Sequence, residues 1–359
     1  MLTAIIFIIV LGVLVLAHEF GHFYVAKKAG MKVEEFGFGF PPRLFGIKRG
    51  ETVYSINWIP FGGFVKIYGE DGEDRDNSRS FASKPAGQRA KVIVAGVLMN
   101  LFLAAVLLGL GNFLGLRIGL AGNEDFTAKD IKIQIIQVSQ DSPARAAGLK
   151  ILDEIKQLQK GEDLVRPKNV EEVQDFVKKY GGEEIVLIIG RNGTEVNLKL
   201  IPRKNPPVGQ GAIGVNLAKT GVVSYPWYEA IWRGIRDTGV MAVNIMIALG
   251  LFFRNLFVDS RLIADVSGPI GIAVLTGQAA GLGFNYLIQF VALLSINLAV
   301  LNIIPFPALD GGRLLFIGIE KLKGSPVPKK IEGFVNAAGF AFLIALMIWI
   351  TVKDVTKFF

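Results

Sequence analysis

Four stretches of the chain carry no charged residue: 1–17, 92–116, 266–309 and 334–352. A helix that crosses a bilayer needs about 20 mostly apolar residues. The pattern therefore predicts spans over 1–24, 92–116, 283–309 and 334–352. Residues 127–203 read differently, as a small α/β domain. A β-branched run at 131–138 predicts a strand, and Ser142-Pro143-Ala144 opens a short helix closed by Gly148. Val170, Val173, Phe176, Val177 and Tyr180 follow helical spacing until Gly181-Gly182. Two further strands, 185–189 and 195–201, flank the hairpin signal Arg191-Asn192-Gly193. Residues 35–69 alternate glycine with aromatics and predict short strands in a turn-rich β-loop, apolar enough to dip into the membrane. Irregular backbone at that depth must be covered by protein or line a polar cavity. The run 238–253 is uncharged but only 16 residues long, bracketed by Arg233, Arg236 and Arg254. By length it is either a short span or an interfacial helix.

Composition agrees with a polytopic membrane protein: apolar residues make up 51 % of 359, and the mean hydropathy is +0.45. The net charge of +8 is read as basic cytoplasmic loops rather than nucleic-acid binding. The loop 27–91 holds 12 Lys/Arg against 8 acids, and 311–333 holds 5 against 2. Both are expected in the cytoplasm, which puts the N-terminus, 117–282 and the C-terminus outside. The first segment lacks the basic start and small-residue cleavage site of a signal peptide. The absence of cysteine excludes a disulfide scaffold, a thiolate metal site and a cysteine nucleophile.

The chemistry is concentrated in two places. The chain has only two histidines, in His18-Glu19-Phe20-Gly21-His22, continuous with the first apolar run. On a helix, positions i and i+4 share a face, so both imidazoles can hold one metal ion while Glu19 serves as a base towards water. The bland alternative is a helix end whose polar side chains reach the interface. Ionisable groups inside a membrane are costly and usually functional, which favours the metal. A catalytic zinc takes three protein ligands, and the third here must be a carboxylate. Glu171 to Asp175 has a metalloprotease-like spacing but lies in the domain across the membrane. Asp310, in Pro305-Phe306-Pro307-Ala308-Leu309-Asp310-Gly311, ends the 44-residue uncharged run and stands at a membrane edge. Alone it would be an ordinary Asp-Gly turn; beside a site short of one ligand it is the favoured candidate. With four spans, Asp310 and His18 emerge on the same face. A fifth crossing at 229–257 would separate them, so that segment is expected to be interfacial or partly inserted.

These motifs resemble the site-2 protease family, and within it the bacterial branch that cleaves anti-sigma factors. The resemblance covers nearly the whole chain. It rests on His18–His22, on Leu309-Asp310-Gly311, and on Gly96 to Asn100, where the family's usual proline after glycine is Val97. Ile59–Lys66 resembles the membrane-reentrant β-loop, Ser267-Gly268-Pro269-Ile270 the segment before the third span, and 127–203 a PDZ domain. The fold implied is a polytopic α-helical membrane protein with four transmembrane helices, a membrane-reentrant β-loop and one PDZ-like domain. Its parts are 1–116 with the reentrant loop at 35–69, 127–203, a linker with an interfacial helix at 204–282, and 283–359. The resemblance implies Zn2+ bound by His18, His22 and Asp310, Glu19 as general base, and Asn297 and Asn302 as side chains that bind substrate backbone. Helix–helix hydrogen bonding inside the bundle is an equal alternative for these two asparagines. Gly96 and Asn100 read more simply as close packing and a polar contact.

The activity implied is intramembrane proteolysis in a bacterial cytoplasmic membrane. The substrate would be the transmembrane segment of a single-pass protein such as an anti-sigma factor, trimmed beforehand by another protease. The active site would lie near the cytoplasmic face and the PDZ-like domain outside, where it recruits substrates or excludes bulky ones. Two other classes fit parts of the pattern: a membrane PDZ scaffold without activity, and a membrane-anchored metallopeptidase acting on soluble substrates. An intact Glu19 argues against the first, and the lack of a large soluble catalytic domain against the second.

Overall fold

The computed structural model describes residues 2–72, 74–120, 128–191, 193–207, 209–256 and 268–358. Asn192 of the hairpin signal and Ser267 of the segment before the third span lie outside the described residues. The chain forms two compact units, Asn112–Pro226 and the remainder, Met1–Gly111 with Trp227–Phe359.

In the larger unit, helix α1 (Leu2–Lys28) is followed by β1 (Val33–Arg49) and β2 (Thr52–Ile67), then α2 (Ala86–Leu114). After the smaller unit come α5 (Trp227–Leu256), α6 (Pro269–Leu282), α7 (Phe284–Ile303), α8 (Asp310–Lys323) and α9 (Lys329–Phe358). Among the described residues, α1, α2, α5, α7 and α9 are long and apolar enough to cross a membrane. The 266–309 run holds two helices rather than one span. Gly283, at φ +118°, breaks it into α6 and α7, a backbone angle that glycine adopts without strain. Helix α7 then stops early. Ile304 is extended, because the ring of Pro305 disfavours helical backbone in the residue before it.

Contacts between helices fix their directions. His22 meets Val92 and His18 meets Asn100, so α1 and α2 run antiparallel. Val10 and Leu14 cluster with Val291, and further along both helices His18 meets Asn302, so α1 and α7 run in parallel. The end where α1 starts is also where α6 lies. Gly277 of α6 sits against Thr3, and Asp354, near the end of α9, accepts a 2.7 Å hydrogen bond from the Gly271 amide. Helix α5 starts beside the outgoing end of α2, where Gly234 packs on Ala105 and Gly109. The chain therefore enters α5 and resumes at Gly268 at one and the same end of the bundle.

The β1–β2 pair is longer and more irregular than a hairpin. Residues 35–38 pair on both sides, with 63–66 and with 53–56, while 45–49 pair with 52–56. Its apolar tip, with Phe40, Leu44, Phe45, Ile47, Trp58 and Ile59, is exposed.

The smaller unit is a seven-stranded sheet of β3 (Leu116–Gly119), β4 (Lys129–Val138), β5 (Glu154–Lys160), β6 (Asp163–Val165), β7 (Ile185–Arg191), β8 (Thr194–Leu200) and β9 (Val215–Val223), with helices α3 (Pro143–Ala146) and α4 (Val170–Lys179). The strand order is β3-β9-β4-β5-β7-β8, with β6 on β5. Ser142 caps α3 and Asn169 caps α4, each accepting from an otherwise unpaired first-turn amide. Val173, Phe176 and Val177 of α4 close over Ile135, Leu158, Ile185, Leu187 and Ile189. The sheet is wider than the expected 127–203. Strand β9, inside the stretch read as linker, lies between β3 and β4. Its alternation lapses from Ala218-Lys219 onward, which hides a strand whose partners are remote in sequence. Tyr225 donates to the Asn112 carbonyl at 2.9 Å, so the incoming and outgoing strands are joined at their base.

Candidate metal centre

The last turns of α1 carry His18, Glu19 and His22. Both imidazoles are buried, at 7 % and 8 % exposure, because α2 passes directly across them. That approach depends on glycine. A Cβ on Gly21 would overlap the Ala95 carbonyl, and one on Gly96 would overlap the His22 ring. Asp310 reaches the same point from another part of the chain. It opens α8 at the end of a proline-punctuated turn in which Ala308 takes φ +70° and its amide donates to Asn336 Oδ1 at 3.1 Å. Side chains on Gly311 and Gly312 would collide with the carbonyls of Ile304 and Phe306, so this turn also closes only around glycine. Arg313 pairs with Glu70, and Arg89 of α2 grips Glu320 of α8 through two bonds of 3.0 and 2.7 Å. These pairs hold α8 against α2 and the end of the β-loop.

The ligand atoms converge. His18 Nε2 lies 3.1 Å from His22 Nε2, and Asp310 Oδ2 lies 3.0 Å from the first and 3.3 Å from the second. Tetrahedral ligands about 2.0–2.1 Å from a zinc ion stand about 3.3–3.5 Å apart, so the three atoms bracket a site of that size. Asp310 Oδ2 is buried and faces both imidazole nitrogens, as expected of an oxygen that shares a cation with them. Among the described residues, these three form the only cluster of possible metal ligands. Glu19 is half-buried and points to the β-loop, where a Cβ on Gly63 would stand 3.6 Å from its Cγ. An apolar recess of about 410 Å³, lined by Ala17, Phe20, Phe36, Met99 and Phe102, opens beside the histidines.

The two asparagines of α7 part company. Asn302 Nδ2 lies 3.3 Å from His18 Nε2, at the centre itself. Asn297 Nδ2 donates to the Leu293 carbonyl of its own helix at 2.9 Å, so the structure does not bring it to the cluster. Asn100 is fully buried against His18. In the sequence it stands out as the end of the Gly96-to-Asn100 motif and reads as a packing polar contact rather than as a neighbour of His18.

The model of peptidase family M50 matches residues 6–346. The chain belongs to peptidase family M50. Its relatives span the chain: a protein of Clostridium acetobutylicum named as a candidate zinc metalloprotease is 35 % identical over 98 % of this chain and 96 % of its own length. The zinc metalloprotease RasP of Geobacillus kaustophilus is 32 % identical over 98 % of this chain and 97 % of its own. The regulator of sigma-W protease RasP of Bacillus subtilis is 29 % identical over 99 % of both. Membership of family M50 agrees with the site-2 protease resemblance carried by His18–His22 and Leu309–Gly311.

Proposed function

We propose that this family M50 protein is a zinc endopeptidase that cleaves transmembrane segments of single-pass proteins within the bilayer. The observation that carries the reading is the meeting of His18 Nε2, His22 Nε2 and Asp310 Oδ2 on helices apolar enough to span, with Glu19 adjacent. These three would hold a zinc ion, which would supply Lewis-acid polarisation of a peptide carbonyl and lower the pKa of water. Glu19 then acts as general base, taking the proton from the attacking water and returning it to the leaving amine nitrogen.

A helical substrate hides its carbonyls in its own hydrogen bonds, so cleavage needs local unwinding and new partners for the freed backbone. We assign that role to the β-loop, whose 63–66 segment runs beside Glu19 and is suited to strand addition, together with Asn302. The exposed apolar tip of the loop favours insertion into the membrane. Asn297 keeps the role of substrate contact only if its side chain leaves the Leu293 carbonyl.

The topology we propose has four crossings, α1, α2, α7 and α9, with the active site near the cytoplasmic face of a bacterial cytoplasmic membrane and the smaller unit outside. The Lys/Arg excess of 27–91 and 311–333 supports the orientation. The return of the chain to one end of the bundle at Gly268 supports α5 as an excursion that does not change sides. We read the smaller unit as PDZ-like and as a filter on bulky outer domains. Its 13 Lys/Arg against 12 acids in 127–203 offer little electrostatic attraction, and its two tethers adjoin. The substrate class proposed is a single-pass anti-sigma factor shortened beforehand by another protease.

The test is cleavage of a membrane-spanning peptide and of a soluble peptide of the same sequence, by the unsubstituted protein and by Glu19→Gln. Cleavage confined to the membrane-spanning form, and lost in Glu19→Gln, is expected. Equal cleavage of the soluble peptide would overturn the intramembrane reading.

A further inference from the structure

A histidine that binds a metal through Nε2 must carry its proton on Nδ1, and the group that accepts from Nδ1–H fixes both tautomer and ring orientation. Each of the two histidines has a buried neighbour at Nδ1. For His22 it is the Val92 carbonyl oxygen, at 2.8 Å. A carbonyl only accepts, so His22 Nδ1 is the donor and its Nε2 keeps a lone pair towards Asp310.

For His18 the neighbour is the side-chain amide of Asn100, 3.3 Å from Nδ1. The two ends of an amide have nearly the same shape, so chemistry must choose its orientation. With Nδ2 towards the ring, His18 Nδ1 accepts and the proton is forced onto Nε2, the atom that faces Asp310 at 3.0 Å. With Oδ1 towards the ring, Nδ1–H donates to it and Nε2 is free for the metal. Asn100 is well placed for such a task. Its side chain is fully buried, its backbone carbonyl accepts from Ser295 Oγ at 2.8 Å, and it lies one turn after Gly96 on the face that α2 presents to the imidazoles.

We infer that Asn100 is a positioning residue of the metal centre, whose side-chain oxygen accepts from His18 Nδ1–H and so presents Nε2 to the ion, as the Val92 carbonyl does for His22. The inference rests on the zinc site proposed above and adds to it a residue that acts through His18. A merely structural Asn100 would instead be an interhelical hydrogen bond that holds α1 to α2, indifferent to which ring nitrogen is protonated.

The test compares the unsubstituted full-length protein with Asn100→Leu, which removes the acceptor at similar volume, and Asn100→Asp, which keeps it. Zinc affinity is measured in detergent by competition with a chelator. The ring nitrogens are followed in the zinc-loaded protein by 15N-histidine NMR, which is unambiguous here because the chain has two histidines. Asn100→Leu is expected to bind zinc about 10–100-fold more weakly, with a shifted, faster-exchanging Nδ1–H at one histidine only. Asn100→Asp should bind at least as tightly as the unsubstituted protein and keep both Nδ1–H signals. Undiminished affinity and two unchanged signals in Asn100→Leu would overturn the inference, as would equal losses in the Asp and Leu variants. Failure of the unsubstituted protein to bind zinc would overturn the site itself, and is told apart by appearing without any substitution.

Discussion

In the smaller unit the side chains sealed from solvent include Ile135, Leu158, Ile185, Leu187 and Ile189. In the helical unit Asn100, Ser295 and Thr276 are sealed beside apolar residues such as Val33, Ala292 and Ile296. The apolar side chains there often face outward instead: Phe102 is 64 % exposed, and only 6 % of the most apolar window of α9 is buried. Water penalises an exposed leucine, whereas lipid does not, so apolar burial organises the domain but cannot by itself organise the bundle. What fixes the bundle is close backbone approach at Gly21, Gly96, Gly311 and Gly312 and the pairing of a few polar atoms. The site sits where those constraints are densest. Its histidines are seated by a glycine and an amide of α2, and its aspartate by a turn that tolerates no side chain.

The largest effect expected from this contrast is at Gly96. Gly96→Val drives a side chain into the His22 ring, so zinc content should fall and cleavage drop by about 10²-fold or more. Zinc analysis alongside a cleavage assay reads both, and normal zinc would show that the rings do not need that gap. Leu187→Ala in the domain is expected to cost about 2–5 kcal/mol. Hydrogen exchange in the full-length protein should show that loss in the domain amides while zinc content is unchanged. Asn169→Ala removes the cap of α4 and should cost about 1 kcal/mol, seen as faster exchange in that helix alone. Leu98→Ala, on an exposed face of α2, should change thermal stability by less than about 0.5 kcal/mol. A multi-kcal loss there would mean that the bundle packs by apolar burial after all.

The same contrast explains what could be read from the chain. Helices α1, α2, α7 and α9 follow from charge-free runs. Helix α5, also long and apolar enough to cross, reads as interfacial in the sequence because Arg233, Arg236 and Arg254 cut its uncharged stretch short. Helix α4 follows from Val173, Phe176 and Val177 at helical spacing. His18, Glu19 and His22 stood out because four-residue spacing on a helix has a chemical meaning, and Asp310 because the site lacked a third ligand. Other features left no periodic trace. The break at Gly283 is one glycine in an apolar run. Strand β9 pairs with segments far away in sequence. The contact of Asn100 with His18, and the turning of Asn297 to its own helix, are decided by how helices cross, which residue spacing along a single helix does not specify.

The most direct measurement is the zinc content of the purified protein and of two variants, Glu19→Gln and Asp310→Ala. The account predicts about one zinc per chain in the unsubstituted protein and in Glu19→Gln, which keeps all three ligands, and little or none in Asp310→Ala. A full complement of zinc in Asp310→Ala would contradict it.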